Sequence, residues 1–373
     1  MAKRKGKSRS RIKGWQQRYA AEGAQEASSG REKFFPRAVK LPPWRLEAPQ
    51  ENLDELPRVQ GMVVGLFPGG AVVRCGKEAL LCGLVGTFRA PEGSSALTLG
   101  DTVTVALAKA EHHSEAQADK QRADGMILAR GPRRTALSRP QPRSAKRRDE
   151  YGAEVFEKVV AANMDVLLIV VATCQPSMRP ALLDRFLIIA ERGELRPVVV
   201  INKIDLRPAD ERLVADFRAM GVEVFTCSAI TGAGIDVLRL ALKDKRSVLA
   251  GPSGVGKSAL VNALVPGANV VTREIRMKDQ RGRHTTSTAI VYDLPDGGML
   301  VDTPGVRELG MHLTRTELAW YFPELEAVAP QCKFNDCTHT HEPSCAVLAA
   351  VAAGKILPRR YTSYLRILET LEE

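Results

Sequence analysis

Apolar and polar positions along the chain fall into three textures. From Arg58, short β-rich runs (RVQGMVVGLFPGGAVVRC, EALLCGLVGTFR, DTVTVALAKA and ADGMILAR) are separated by Pro-Gly-Gly, Pro-Glu-Gly-Ser-Ser and charged turns. That pattern predicts a small all-β, OB-like barrel. Further on, the unbroken apolar runs MDVLLIVVA, RPVVVIN, VEVFTCS and RSVLAG alternate with amphipathic stretches around 181–190, 209–220 and 235–242. Strands apolar on both faces, with helices between them, predict a mostly parallel sheet covered on both sides. Beyond Leu309 the spacing turns helical, first around 315–327 and then through Tyr361, Tyr364, Leu365, Leu368 and Leu371, a stripe that reads as core. The opening residues hold Pro, Gln, Glu and Arg without sustained period and read as disordered with one local helix.

The expected organisation is therefore multidomain. A basic, largely disordered extension (1–54) precedes an OB-fold barrel (55–135), a basic linker (136–149), a central α/β domain (150–311) and a mostly helical C-terminal domain (312–373). At 373 residues the chain is long enough for several cores. The apolar runs near 166–174 and 346–353 are too short to span a bilayer, and no secretion signal is read, so a cytoplasmic protein without membrane contact is expected.

Charge changes the picture. Of the formal net charge of +11, residues 1–20 contribute eight Lys/Arg without an acid, and residues 130–148 contribute eight more. Removing these leaves the rest of the chain net acidic. The basic character thus lies in a tail and a linker, as in proteins that carry arms for nucleic-acid phosphates; a merely solvated tail is the plainer alternative. The barrel offers few aromatic platforms beyond Phe67 and Phe88, so RNA contact there would depend on shape and charge, and docking on protein alone is equally open.

The central domain carries a nucleotide-binding constellation. Gly251, Pro252, Ser253, Gly254, Val255, Gly256, Lys257 and Ser258 satisfy G-x-x-x-x-G-K-[ST] between an apolar strand and a helix. Backbone N–H groups of such a loop curl around a β-phosphate, Lys257 reaches β- and γ-oxygens, and Ser258 offers its hydroxyl to Mg²⁺. In VDTPG, Asp302 stands at a strand end where it can hold Mg²⁺ through water, and Gly305 supplies an N–H for the γ-phosphate. INKIDL places Asn202, Lys203, Ile204 and Asp205 past another strand. The Asp205 carboxylate can accept from both the ring N–H and the exocyclic amine of guanine, a donor pair adenine lacks. Ser228 and the Ala229 N–H, in CSAITGAG, can finish the base pocket. Four such elements at strand ends select GTP over ATP and argue against a P-loop kinase or ATPase.

The order of these motifs is rotated. N-K-x-D and S-A come first, then the phosphate loop, HTTST and D-T-P-G, so the domain is circularly permuted. Strand ends assemble in space and not in sequence, so the pocket loses nothing. The segment after Gly305 now leads directly into the C-terminal region, whose Cys332, Cys337, His339 and Cys345 are spaced C-x(4)-C-x-H-x(5)-C. That thiol-rich set of four suits one tetrahedral structural Zn²⁺, with His341 as the competing ligand; with no acid partner, metal catalysis is not expected.

The permuted order, the preceding barrel, RGRHTTST and CKFNDCTHTHEPSC closely resemble the ribosome small-subunit-dependent GTPase A family, the RsgA or YjeQ type, over residues 55–373. The resemblance implies a bacterial cytoplasmic GTPase that binds the small ribosomal subunit and its rRNA, assists late maturation, is activated by that subunit and uses the same four zinc ligands. A monomer cycling between GTP and GDP is expected. Val306 stands where many GTPases place a water-orienting glutamine, which predicts slow intrinsic turnover. Thr285 or Thr286 would reach Mg²⁺ and γ-phosphate when the switch loop orders, with Thr285 the first choice for the metal. His284 is the local candidate to position water and Arg283 an alternative source of charge compensation, while Arg281, Arg283 and His284 could instead touch rRNA phosphate. A non-enzymatic RNA-binding assembly scaffold with a regulatory guanine site is the rival class.

Overall fold

The computed structural model describes residues 53–67, 69–86, 88, 97–108, 123–140, 157–268, 290–303 and 313–371. Strands β1 (Arg58–Phe67), β2 (Gly70–Cys75), β3 (Glu78–Leu84), β4 (Thr102–Leu107) and β5 (Gly125–Arg130) close into a barrel in the order β1-β2-β3-β5-β4. All pairings are antiparallel except β3 with β5, the arrangement expected of an OB-like barrel. Val63, Ala71, Val73, Val103, Val105 and Ile127 fill its interior. Gly61 is required where β1 crosses β2, because a Cβ there would come within 2.3 Å of Val73 Cγ1.

Residues 136–140, the start of the segment read as a linker, form a strand: β6 (Ala136–Pro140) pairs antiparallel with β7 (Glu157–Ala162). At this junction the barrel's Asp101, fully buried, accepts from Arg133 Nε (2.7 Å) and Nη2 (2.8 Å) and from the Thr98 N–H. Asn163 extends the seam, donating to the Gly100 carbonyl and accepting from the Arg134 N–H.

The central sheet contains β8 (Val166–Ala172), β9 (Arg196–Asn202), β10 (Glu223–Thr226), β11 (Arg246–Ala250), β12 (Ile290–Asp293) and β13 (Met299–Asp302), in the order β10-β9-β8-β11-β13-β12. Every pairing is parallel except that of the edge strand β12. All seven residues of β8 are buried, as their unbroken apolar run requires of a strand covered on both faces. Leu167, Ile169 and Val171 face α1 (Pro180–Arg192) and α2 (Glu211–Ala219) through Leu183, Phe186, Leu213 and Phe217. Leu168 and Val170 face α3 (Ile235–Ala241) and α4 (Lys257–Leu264) through Leu238, Leu260 and Leu264. Helix α2 starts where Asp210 accepts from the N–H groups of Arg212 and Leu213, a side-chain N-cap.

The C-terminal region shares the first of these cores through Phe322, Leu325, Val347, Tyr364 and Ile367. The helix anticipated around 315–327 is instead a 3₁₀ turn, Leu318–Tyr321, followed by the one-turn α5 (Pro323–Glu326). Pro323 lacks the N–H that a continuous helix needs and drives Phe322 to an extended conformation (φ −118°, ψ 92°). Helices α6 (Ala346–Ala352) and α7 (Pro358–Leu368) follow. No helix among the described residues is long and apolar enough to cross a membrane.

Helix α7 is fastened to α1 by charge. Arg360, 5 % exposed, ion-pairs with Asp184 on α1, which is 1 % exposed, and with Glu324 on α5. Its guanidinium also lies 4.4 Å from the centroid of Phe322. Removing one partner of a buried pair strands the other charge, which costs about 3–5 kcal/mol. Arg359 Nη1 stays 3.6 Å from the other Asp184 oxygen, so Arg360→Ala is expected to lower stability by less than that full amount in urea unfolding, and Arg360→Ala with Asp184→Leu by less than the single change. An unchanged midpoint for the single variant would refute the assignment of a stabilising pair.

Candidate nucleotide site and cysteine–histidine centre

The C-terminal ends of β9, β11 and β13 and the turn after β10 bring the predicted residues to one edge of the sheet, the edge at which open parallel sheets bind ligands. Leaving β9, Asn202 is buried and its amide bridges two loops: Nδ2 donates to the Val255 carbonyl (3.0 Å) and Oδ1 accepts from the Ala229 N–H (3.0 Å). The Ala229 N–H thus organises the pocket wall from within. Ser228, fully buried, accepts from the Thr231 N–H, and the Ile204 N–H donates to the Cys227 carbonyl. Asp205, three residues past Asn202, is exposed.

Lys203 adopts a left-handed conformation (φ 67°), uncommon for a residue with a side chain. Three contacts hold it there: its Nζ donates to the carbonyls of Gly254 (2.8 Å) and Gln175, and its own carbonyl accepts from the Thr173 hydroxyl (2.9 Å). Thr173 escaped the sequence reading because a lone threonine at a strand end carries no motif.

The phosphate loop needs its glycines. Gly251 has φ 133° and a Cβ there would lie 2.1 Å from the Val170 carbonyl oxygen; Gly256 has φ 93° and its Cβ would lie 2.4 Å from Asn202 Nδ2. Ser253 and Gly254 are exposed, whereas Val255 is buried under the loop. Lys257, only 8 % exposed, donates from Nζ to the Gly251 (2.7 Å) and Pro252 (2.6 Å) carbonyls, so its ammonium lies over the loop, within the turn that would receive phosphate. Ser258 follows in the first turn of α4, where free N–H groups favour anions. Asp302 is registered beside Leu249 on β11 and opposite Ile290 on β12. Tyr292 is registered opposite Leu300, two residues before Asp302, so ring and carboxylate share a face of the sheet, and burial, and then the Asp302 carboxylate, push the Tyr292 phenol pKa up. His284, Thr285, Thr286 and Gly305, together with Arg281, Arg283 and Val306, lie outside the described residues.

Cys332, Cys337, His339 and Cys345 converge, with one ligand atom from each all within 4.8 Å of one another. The separations are 3.8 Å between the sulfurs of Cys332 and Cys345, and 3.6 and 3.5 Å from these to His339 Nδ1. Tetrahedral zinc at ordinary bond lengths needs edges of about 3.8 Å for S···S and about 3.6 Å for S···N. The donor set and its spacing fit one such ion. His341 points elsewhere, its Nδ1 2.8 Å from the Thr340 hydroxyl.

Supports surround this cluster. The Tyr361 and Tyr364 hydroxyls on α7 donate to the carbonyls of His339 (2.8 Å) and Thr338 (2.7 Å). Glu342 accepts from the N–H groups of Thr338, Thr340 and His341 and from the Thr338 hydroxyl. Burial opposes its ionisation, yet these hydrogen bonds hold its carboxyl well below the usual carboxylate range. Glu342 is thereby committed to the loop's backbone.

Residues 130–312 match the family model described as RsgA GTPase. The "Small ribosomal subunit biogenesis GTPase RsgA" of Gemmatimonas aurantiaca is 40% identical over 282 residues, 75% of this chain and 86% of that protein. The chain belongs to the RsgA GTPase family. It is accordingly a GTP hydrolase, and the family's chemistry implies Mg²⁺ with the nucleotide. The equivalent protein of Shewanella oneidensis is 40% identical over 285 residues, 75% of each chain. The crystal structure of YjeQ from Thermotoga maritima superimposes with a TM-score of 0.60 at 32% identity, covering 84% of this chain and 99% of that one. YloQ, described as a circularly permuted GTPase, shares the fold (TM-score 0.57, 24% identity, 84% and 94% covered). The RsgA-type permutation thus accounts for the motif order.

Proposed function

We propose that this protein is a cytoplasmic, monomeric GTPase that binds the small ribosomal subunit, grips its rRNA and assists its late maturation, with turnover stimulated by the subunit. The observation that carries this reading is the convergence of Asp205, the phosphate loop and Asp302 at one sheet edge, in a chain whose relatives are named for small-subunit biogenesis. In this reading Asp205 reads guanine inside the pocket built by Asn202, Lys203, Ile204, Ser228 and Ala229. Residues Gly251 to Lys257 hold the phosphates, while Ser258, Asp302 through water, and Thr285 or Thr286 hold Mg²⁺. Gly305 senses the γ-phosphate. His284 positions water when the subunit orders the switch, because the Val306 side chain has no polar atom to do so. Cys332, Cys337, His339 and Cys345 hold one structural Zn²⁺, and the basic arms supply phosphate contacts. Hydrolysis releases the protein from the subunit.

The test is phosphate release from GTP by purified protein, with and without purified small subunits. Subunits are expected to raise the rate at least about tenfold, and Ser258→Ala to abolish the stimulated rate, since it removes the Mg²⁺-directed hydroxyl. Tight GTP binding with no stimulated release would sink this reading in favour of an assembly scaffold.

A further inference from the structure

The described part of the edge strand β12 begins just beyond the switch segment, and it is weakly held by its own sheet. Among the described residues it is four residues long and pairs with β13 alone, and none of the four is fully buried; Ile290 is 49% exposed. Its residues alternate between two neighbours. Tyr292 packs on the core shared with the phosphate-loop helix, on the Asp302 side, whereas Asp293 points to the barrel. There Arg74, near the end of β2, forms a two-pronged pair: Nη1 to Oδ1 at 2.6 Å and Nη2 to Oδ2 at 3.1 Å. Both side chains are mostly covered, at 24% and 35% exposure, so this pair is shielded from water better than an ordinary surface ion pair. Arg74 itself is fixed in a closed barrel, in register with Met62 on β1 and Ala79 on β3, and β1 lies against β12.

We infer that Arg74 is a positioning residue for the GTP-bound state: by gripping Asp293 it fixes β12, and through the β12–β13 pairing it fixes Asp302. The inference rests on the nucleotide-site reading above. Among the described residues β12 has one neighbour on its sheet, so the barrel supplies the second restraint on this strand. Loss of that restraint leaves GDP binding, which depends on the base loops and the phosphate loop, and weakens the state that also engages Asp302.

The test is a double-mutant cycle on the full chain, reading affinity for fluorescent GDP and for a slowly hydrolysed GTP analogue. Arg74→Gln and Asp293→Asn are each expected to weaken the analogue about 5–10-fold relative to GDP, a coupling of ordinary allosteric size. The double variant should do no worse than either single. The exchange Arg74→Asp with Asp293→Arg should restore the ratio to within about twofold of wild type, which a purely local packing defect would not. Singles that lower thermal stability yet leave the ratio unchanged make the pair structural only and overturn the inference. A wild-type protein that bound neither guanine nucleotide would instead overturn the nucleotide-site reading, and the inference with it.

Discussion

Asp205→Asn is expected to weaken GTP binding by about 10²–10³-fold and to make the xanthine nucleotide the better ligand. Hydrogen bonds to a charged group contribute about 1.5–3 kcal/mol each, and in the proposed pocket two of them would join the Asp205 carboxylate to the guanine ring N–H and amine. The asparagine amide retains one acceptor but turns an N–H₂ toward the guanine amine, donor against donor. Xanthine carries a carbonyl at that position and accepts from the same amide. Because Asp205 is exposed, while the surrounding hydrogen bonds run through Asn202, Lys203 and Ala229, the substitution should leave the loop intact. Competition of GTP, XTP and ATP against a fluorescent guanine nucleotide measures the switch. GTP affinity within fivefold of wild type would remove Asp205 from base recognition.

How far the sequence could be read depends on the range of each interaction. β8 and β9 were legible because a strand buried on both faces must be apolar throughout, and the nucleotide loops because each motif sits at a strand end. The barrel was legible from its turns and short runs. The ties between these parts were not. Arg74 and Asp293 stand 219 residues apart, and Arg360 and Asp184 176, and nothing local marks a charged side chain as the partner of one so distant. In an amphipathic helix Asp184 reads as a solvated residue, yet Arg360 carries its counter-charge into the core. Phe322-Pro323 shows the converse: the periodicity around 315–327 suggested a helix, but the missing proline N–H outweighed it.

The cysteine–histidine centre yields the second large effect. Cys337→Ser is expected to reduce bound zinc from one per chain to well below a tenth, since replacing one thiolate by a hydroxyl forfeits much of the roughly 10–16 kcal/mol of apparent zinc affinity in thiolate-rich sites. The damage should stay local. The ligand loop joins the Ala329–Gln331 turn to α6, whose N-cap is the ligand Cys345. Tyr361 and Tyr364 suspend that loop from α7, while α7 is anchored independently through Arg360 and the apolar core. Without the ion the loop has a short apolar inventory and thiols in close contact, so it should open while α7 stays docked. Lys333, between two ligands, then becomes a tryptic site. Elemental analysis and limited trypsinolysis of wild type, Cys337→Ser and chelator-treated protein provide the measurement: rapid cleavage at Lys333 only in the last two, with GTP affinity within about threefold throughout. Wild-type protein purified without zinc and already cut at Lys333 would show that the four ligands do not form a metal centre. Loss of GTP binding together with zinc would show instead that the nucleotide site depends on the metal, against the separate anchoring of α7.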